Sequence, residues 1–184
     1  MTCSMRRVFV SALGTCLVLM LGVVAVSAEE ANPGYLKVKS NPGSAGVFVD
    51  GNYLGPAKAY GVSRKYAISP GEHEVKLKDS QFKDYETTVT IRSGKKTTIS
   101  AKLEALPAPA PPFGKLRIEG TDKFAAVYLN GKFMGHMDEF NSHWQRLLIT
   151  PGDYKLEVVA EDGGAPFEKE VTIAENQTTH VKIQ

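Results

Sequence analysis

Val47-Phe48-Val49-Asp50-Gly51-Asn52-Tyr53-Leu54-Gly55 is the stretch that decides the fold. It returns later in the chain as Val127-Tyr128-Leu129-Asn130-Gly131-Lys132-Phe133-Met134-Gly135. In both copies Asp-Gly or Asn-Gly lies between alternating apolar residues, which is typical of a type I′ β-hairpin because both central residues need φ > 0. A duplicated unit of this size predicts two small domains rather than one enzyme-sized core.

Apolar and polar residues alternate with a period of two on either side of these hairpins. Leu36 and Val38 alternate with lysines, as do Val75 and Leu77. This pattern predicts half-buried antiparallel strands with one face in water, and no window shows helical periodicity. The predicted fold class is therefore all-β, with two tandem small antiparallel β-sandwiches of about six or seven strands each.

Turn signals recur at matching places in the two units. Ser69-Pro70-Gly71 and Thr150-Pro151-Gly152 each precede an alternating run and are expected to start a strand. Ser93-Gly94-Lys95 in the first unit and Ala174-Glu175-Asn176-Gln177 in the second are expected to close a last hairpin.

The predicted domains are a first half at residues 34–104 and a second half at residues 114–184. Residues 105–113 between them are rich in proline and form the predicted linker. Alternating proline favours an extended polyproline conformation, so we expect a semi-rigid spacer that holds the two halves apart.

The first 28 residues have the features of a signal peptide. Arg6 and Arg7 precede an almost wholly apolar run, and Val26-Ser27-Ala28 supplies the small residues expected before a cleavage site at Glu29. An uncleaved membrane anchor is the alternative reading, and both the general secretory route and the twin-arginine route stay open.

Cleavage would change the chemistry of the product. Both cysteines, Cys3 and Cys16, would be lost, which excludes disulfides, thiol catalysis and cysteine metal sites. The remaining chain would have 20 basic and 20 acidic side chains and hence no formal net charge. We therefore expect no nucleic-acid partner, no general attraction to an anionic membrane and no membrane span after cleavage.

The first half resembles the PEGA domain. The matching residues are Leu36-x-Val38-x-Ser40-x-Pro42, Ala45-x-Val47-x-Val49-Asp50-Gly51 with Gly55, and Pro70-Gly71-Glu72-His73-x-Val75-x-Leu77. The second half resembles it more weakly, through Leu129-Asn130-Gly131, Gly135 and Pro151-Gly152. The name-giving Pro-Glu-Gly-Ala is replaced by Pro42-Gly43-Ser44-Ala45 and is absent from the second half.

The resemblance implies a compact β-sandwich in an exported bacterial protein that is periplasmic or located at the cell surface. It implies an accessory or adhesive module with no established catalytic residues, so it supplies no active site and no cofactor.

Two loops that are longer than the PEGA pattern carry the candidate ligand-binding residues. Aromatic, basic and polar side chains together could stack on and hydrogen-bond to a sugar or a peptide strand. The alternative is that these aromatic residues are lids over the small cores. The candidates are Tyr60 and Arg64 in the first half, and Phe140, His143, Trp144 and Arg146 in the second.

A metal site in the second loop is a weaker reading. His136, Asp138, Glu139 and His143 are suitable ligand types, but their spacing matches no zinc pattern and a solvated polar loop explains them. The chain has no Gly-x-Ser-x-Gly elbow, phosphate-binding glycine loop or dinucleotide fingerprint. We therefore predict no catalytic residues, no metal and no enzymatic activity.

The predicted function is that of an exported, non-catalytic binding or adhesion module of the bacterial cell envelope. Its partner would be an envelope polysaccharide or another envelope protein, recognised through loops or through a sheet edge. The alternative is a purely structural spacer with no ligand site, and a metal-dependent hydrolase is the least favoured reading.

Overall fold

The computed structural model describes residues 32–59, 62–108, 110–141 and 147–183. The described part of the first half contains nine strands: β1 (Gly34–Asn41), β2 (Gly46–Val49), β3 (Asn52–Pro56), β4 (Lys58–Ala59), β5 (Val62–Ser63), β6 (Lys65–Ile68), β7 (Gly71–Lys78), β8 (Tyr85–Ile91) and β9 (Lys96–Lys102). The described part of the second half contains β10 (Lys115–Glu119), β11 (Ala126–Leu129), β12 (Lys132–His136), a short helix α1 (Met137–Asn141), β13 (Gly152–Val159), β14 (Phe167–Ile173) and β15 (Thr178–Lys182). The predicted all-β class is confirmed.

Each half is built from two sheets that enclose one apolar core. The first half has the strand orders β3-β2-β7-β8 and β6-β1-β9, with β4 and β5 as a small extra hairpin. The second half has the orders β12-β11-β13-β14 and β10-β15, so it repeats most of the same topology. Fully buried side chains between the sheets include Leu36, Val47 and Leu77 in the first half and Leu116, Val127 and Leu156 in the second.

The two hairpin tips have the predicted geometry. The φ angles are 51° at Asp50 and 83° at Gly51, and 50° at Asn130 and 75° at Gly131, so both central residues are positive in each turn. The side chains also bind the next strand, because Asp50 Oδ1 accepts the backbone N–H of Glu74 at 3.0 Å. Asn130 Oδ1 accepts the N–H of Lys155 at 2.8 Å in the same way. This position therefore needs a residue that tolerates positive φ and whose short side chain can accept a hydrogen bond.

The last turn of each half does not close a hairpin, which corrects the sequence prediction. After β8 the chain crosses to the other sheet, where β9 pairs with β1 in parallel from Tyr35↔Lys96 to Asn41↔Lys102. After β14 it makes the same crossing, and β15 pairs in parallel with β10. Turn residues show where the chain reverses but not which strand becomes the neighbour, so the pattern could not distinguish the two outcomes.

Helix α1 lies in a segment that was predicted to be an irregular loop. Met137 and Phe140 are three residues apart and therefore face the same side, where both are buried in the second core. The backbone N–H of Met137 donates to Ala125 O at 3.0 Å, which fixes the start of the helix. The helix packs against β10, in the region where the first half places β6 against β1. A single helical turn is too short to show a periodic signal in the sequence.

The two halves pack against each other, so the predicted spacer does not hold them apart. Phe48 and Phe133 form a third buried cluster with Ala126, and Tyr53 and Tyr128 pack against it. All four residues of β2 are buried, because one face of the strand meets its own core and the other meets the second half. The start of the linker is hydrogen-bonded to the first half, because the backbone N–H of Leu106 donates to Gln81 O at 2.8 Å.

Candidate functional site

An aromatic interface joins β2 and β3 to β11 and β12. The rings of Phe48 and Phe133 meet edge to face with centroids 5.4 Å apart, and Tyr53 lies 5.7 Å from Phe133. Gly46 makes room for this contact, because a Cβ at that position would lie 2.6 Å from Phe133 Cζ. The hydroxyl of Tyr53 donates to Phe124 O at 3.0 Å, so the polar end of the ring is also satisfied. These groups fix the relative position of the two halves.

Arg64, one of the predicted ligand-binding residues, is part of this junction. Its guanidinium pairs with the carboxylate of Glu161 in the second half through Nη1–Oε1 at 2.5 Å and Nη2–Oε2 at 3.3 Å. The guanidinium also lies 4.9 Å from the centroid of the Phe124 ring. The hydrogen bond with Glu161 raises the pKa of Arg64, so the guanidinium stays charged. In this arrangement Arg64 binds the other half of the chain and is only partly exposed to solvent.

Gly55 is required beside this ion pair. Its φ is +113°, in the region that favours glycine. A Cβ there would collide with Oε1 of Glu161 and lie 2.7 Å from Nη1 of Arg64. Gly55, which ends the repeated hairpin, thus allows the side chains of Arg64 and Glu161 to approach the backbone of β3 closely.

Phe140, another predicted ligand-binding residue, is completely buried in the second core. Its ring has no face in solvent on which a sugar could stack, so the lid alternative describes this residue. The remaining four candidates, Tyr60, His143, Trp144 and Arg146, lie outside the described residues.

His136, Asp138 and Glu139 form a half-buried cluster at the end of β12. His136 is 5% exposed, and its Nε2 lies 2.9 Å from Asp138 Oδ1 while its Nδ1 lies 3.5 Å from Glu139 Oε2. Glu139 Oε2 also accepts the backbone N–H of His136 at 3.3 Å. The two carboxylates approach opposite ring nitrogens, so they do not converge on one point where an ion could bind. Within the described residues, no group of three or more His, Cys, Asp or Glu side chains could hold a metal ion.

Burial and neighbouring charges change the protonation of this cluster. Burial raises the pKa of Glu139 to about 7, and His136 only partly opposes this. Burial alone would lower the pKa of His136, but the hydrogen bond with Asp138 and the charges of Glu139, Asp138 and Asp79 raise it above its ordinary value. Asp79 belongs to the first half, so the electrostatics of the cluster also extend across the junction.

A groove of about 560 Å³ lies between the two halves. The first half contributes Phe82, the start of the linker contributes Leu106 and Pro107, and the second half contributes Leu129, Leu148 and Tyr154. Leu106 and Leu148 are 38% and 40% exposed, which places apolar side chains in contact with water inside the groove. Sequence reasoning missed this site, because its walls come together only when the two halves pack.

The comparisons with known proteins give one family and a distant structural likeness. The model of the PEGA domain matches residues 34–107. A comparison with curated proteins gave no match. Among solved structures, the chain is similar to "The Bacillus anthracis TIE protein", with 14% identity, a TM-score of 0.33, and coverage of 83% of this chain and 34% of that one. The chain thus spans about a third of the length of that protein.

Among the described residues, no helix combines the length and the apolar character needed to cross a membrane. PEGA domains are typically extracellular or periplasmic, and they are not a known catalytic family. The match confirms the predicted resemblance for the first half, because the PEGA domain model covers residues 34–107.

Proposed function

We propose that this protein is an exported, non-catalytic binding module of the bacterial cell envelope that recognises another envelope protein through the groove between its halves. The groove is the main support for this proposal, because its volume lies within the range of about 300–1,000 Å³ that is typical of ligand sites. The PEGA domain supports an envelope setting, because such domains are typically extracellular or periplasmic.

The chemistry of the groove favours a polypeptide partner. Its exposed leucines, Leu106 and Leu148, would bury apolar surface against apolar side chains of the partner. Ser80, Gln81 and Lys132 at the groove provide polar groups for its backbone. Since the aromatic interface holds the two walls in place before binding, little ordering cost would be added on association.

A polysaccharide site in the loops is the second form of the same proposal. Tyr60, His143, Trp144 and Arg146 are its proposed contacts, and Trp144 carries the largest stacking surface. Replacing Trp144 by Ala should lower retention of envelope polysaccharide by the purified chain. Retention that does not change would remove this site and leave the groove proposal intact.

A scaffold without any ligand site is the competing function, and the aromatic interface favours it. Phe48, Tyr53 and Phe133 bury most of their surface in joining the halves. A protein that only positions others would need this rigidity and would not need the groove.

Site-specific crosslinking separates the two functions. The full chain, processed by its host, would carry a photoreactive amino acid at position 148, and the captured envelope protein would be identified and then tested in purified form. Leu106→Asp and Leu148→Asp should each weaken this binding about tenfold or more, because each places a charge in an apolar contact. Tyr35→Asp is the matched control, since Tyr35 is equally exposed (43%) but does not line the groove.

Thermal melts of all variants would establish that they fold. Binding that survives both groove substitutions, or no defined crosslinked partner, would favour the scaffold and overturn the binding proposal.

A further inference from the structure

The outer face of the sheet β6-β1-β9 is lined with lysines. Leu36 and Val38 point into the core, so the alternate residues Lys37 and Lys39 of β1 face outward. Lys37 pairs in register with Lys65 of β6, and the same face of β9 carries Lys96 and Lys102. The three strands contain no Asp or Glu.

Among the described residues, none of these lysines is paired with a carboxylate, and the ion pairs involve other cations. Residues 34–104 contain twelve Lys and Arg against seven Asp and Glu. The chain from Glu29 onward therefore has no formal net charge as a whole, but its first half is basic.

A depression of about 580 Å³ lies where β1 and β9 end on this sheet. Lys39, Lys58 and Lys102 line it together with Asn41 and Ser100, and none of its lining residues is acidic. Gly43 lies directly against the side chain of Lys58, where a Cβ would be 3.2 Å away. Three lysines thus line a single depression at this end of the sheet.

We propose that the face formed by β6, β1 and β9 binds an anionic envelope polysaccharide, with the depression at Lys39, Lys58 and Lys102 as its main contact. Outward residues along one strand are about 6.6 Å apart, and neighbouring strands are about 4.8 Å apart, so the lysines form rows that suit a linear polymer with a negative charge on successive units. This surface is separate from the groove, and its ligand is of a different class.

Neighbouring side chains favour a sugar polymer over a phospholipid surface. Tyr35 is 43% exposed on the same face and offers a ring on which a sugar can stack. Asn41, Thr98 and Ser100 lie in register among the lysines and can hydrogen-bond to sugar hydroxyls. Beyond Tyr35, this face has no exposed large apolar side chain among the described residues that could enter a bilayer.

The corresponding sheet of the second half lacks this character. Glu119 of β10 lies opposite Lys182 of β15, and Arg117 lies 3.8 Å from Glu119. Residues 114–184 contain eight Lys and Arg against eleven Asp and Glu. The anion-binding face is therefore a property of the first half alone, and the second half supplies a matched control surface.

Binding of defined polymers tests the proposal. The full chain, purified after processing by its host, would be titrated with polygalacturonate and with a glycosylated poly(glycerol phosphate), which separate carboxylate from phosphodiester sources of charge. Dextran of matched length is the neutral control. The combined substitution Lys39→Gln, Lys58→Gln and Lys102→Gln should weaken binding about tenfold or more, because several lysines act together on one polyanion.

The combined substitution Lys115→Gln, Lys169→Gln and Lys182→Gln changes the net charge equally on the second half and should leave the affinity within about twofold. Leu148→Asp in the groove should also have no effect, so the two proposals can fail independently. Absence of binding to both anionic polymers, or equal losses in the two lysine variants, would overturn the proposal. Equally tight binding to phosphatidylglycerol vesicles or to duplex DNA would overturn the assignment to a polysaccharide.

Discussion

Arg64 and Glu161, which are 97 residues apart in sequence, form a bidentate ion pair across the junction of the two halves. The pair rests on the ring of Phe124 and against the backbone of Gly55, so both repeated units contribute to its surroundings. The sequence alone predicts two domains that are separated by a linker. The ion pair helps to hold them together as one body.

The strength of this ion pair can be measured by a double-mutant cycle. Arg64→Ala, Glu161→Ala and the double variant should give a coupling free energy of about 1 kcal/mol in urea denaturation, since both side chains are partly buried. Lys83 and Glu104 form an exposed pair within the first half and serve as the control, with an expected coupling near zero. Equal coupling in both cycles would contradict a special role for the junction pair.

The aromatic interface should make the two halves unfold together. Phe133→Ala removes a buried ring from between them and should lower the free energy of unfolding by about 3 kcal/mol. Calorimetry should then show two separate transitions, and X-ray scattering should show a larger radius of gyration. Ile91→Ala, in the first core and outside the groove, is the control and should lower stability without separating the transitions. A single transition in Phe133→Ala would show that the linker and the ion pair are sufficient.

The cluster at the end of β12 should make the protein less stable as pH rises. The pKa of Glu139 is raised by burial from its ordinary 4.5 to about 7, so its ionisation across this range costs folding free energy. The pKa of His136 is raised above 6.5, so its contribution is complete below pH 6.5 and is lost as pH rises through the folded value. Both effects have the same sign.

The melting temperature should therefore fall by about 3 °C or more between about pH 5 and pH 8. Glu139→Gln should remove most of the slope below pH 7, whereas Glu72→Gln, at an exposed strand position, should leave it unchanged. A melting temperature that rises over this range in the unmodified protein would show that other groups dominate.

Asp50 should control the titration of His73. The two side chains lie 2.6 Å apart, and the hydrogen bond with Asp50 raises the pKa of His73 while it lowers that of Asp50. In NMR titrations, both Asp50→Ala and Asp50→Asn should lower the pKa of His73 toward 6.5. Only Asp50→Ala should lower the melting temperature clearly, because Asn retains the acceptor for the N–H of Glu74, as Asn130 does for Lys155 in the second half. A His73 pKa that does not move would contradict this pairing.

The strands and hairpins were predictable because they depend on local signals. Asp50-Gly51 and Asn130-Gly131 specify their turns through backbone geometry, and the alternation around Leu36 and Val75 specifies which side chains enter the core. The parallel pairing of β9 with β1 depends on contacts between residues far apart in sequence, so no local pattern indicates it.

The junction and the groove were not predicted, although one signal for them was present. Phe48, Tyr53, Tyr128 and Phe133 occupy positions that alternation assigns to water, and large aromatic side chains at such positions indicate a second buried face. The groove could not be predicted from a pattern within one half, because Leu106 and Leu148 line it together only after the halves pack.

The parallel pairing of β1 and β9 determines how the first half responds to tension. The chain enters at the start of β1 and leaves at the end of β9, so its entry and exit lie at opposite ends of the same strand pair. A pull on the two ends slides the strands along each other, and the seven paired positions from Tyr35↔Lys96 to Asn41↔Lys102 resist it together rather than one after another. The fold thus transmits force along the sheet in shear.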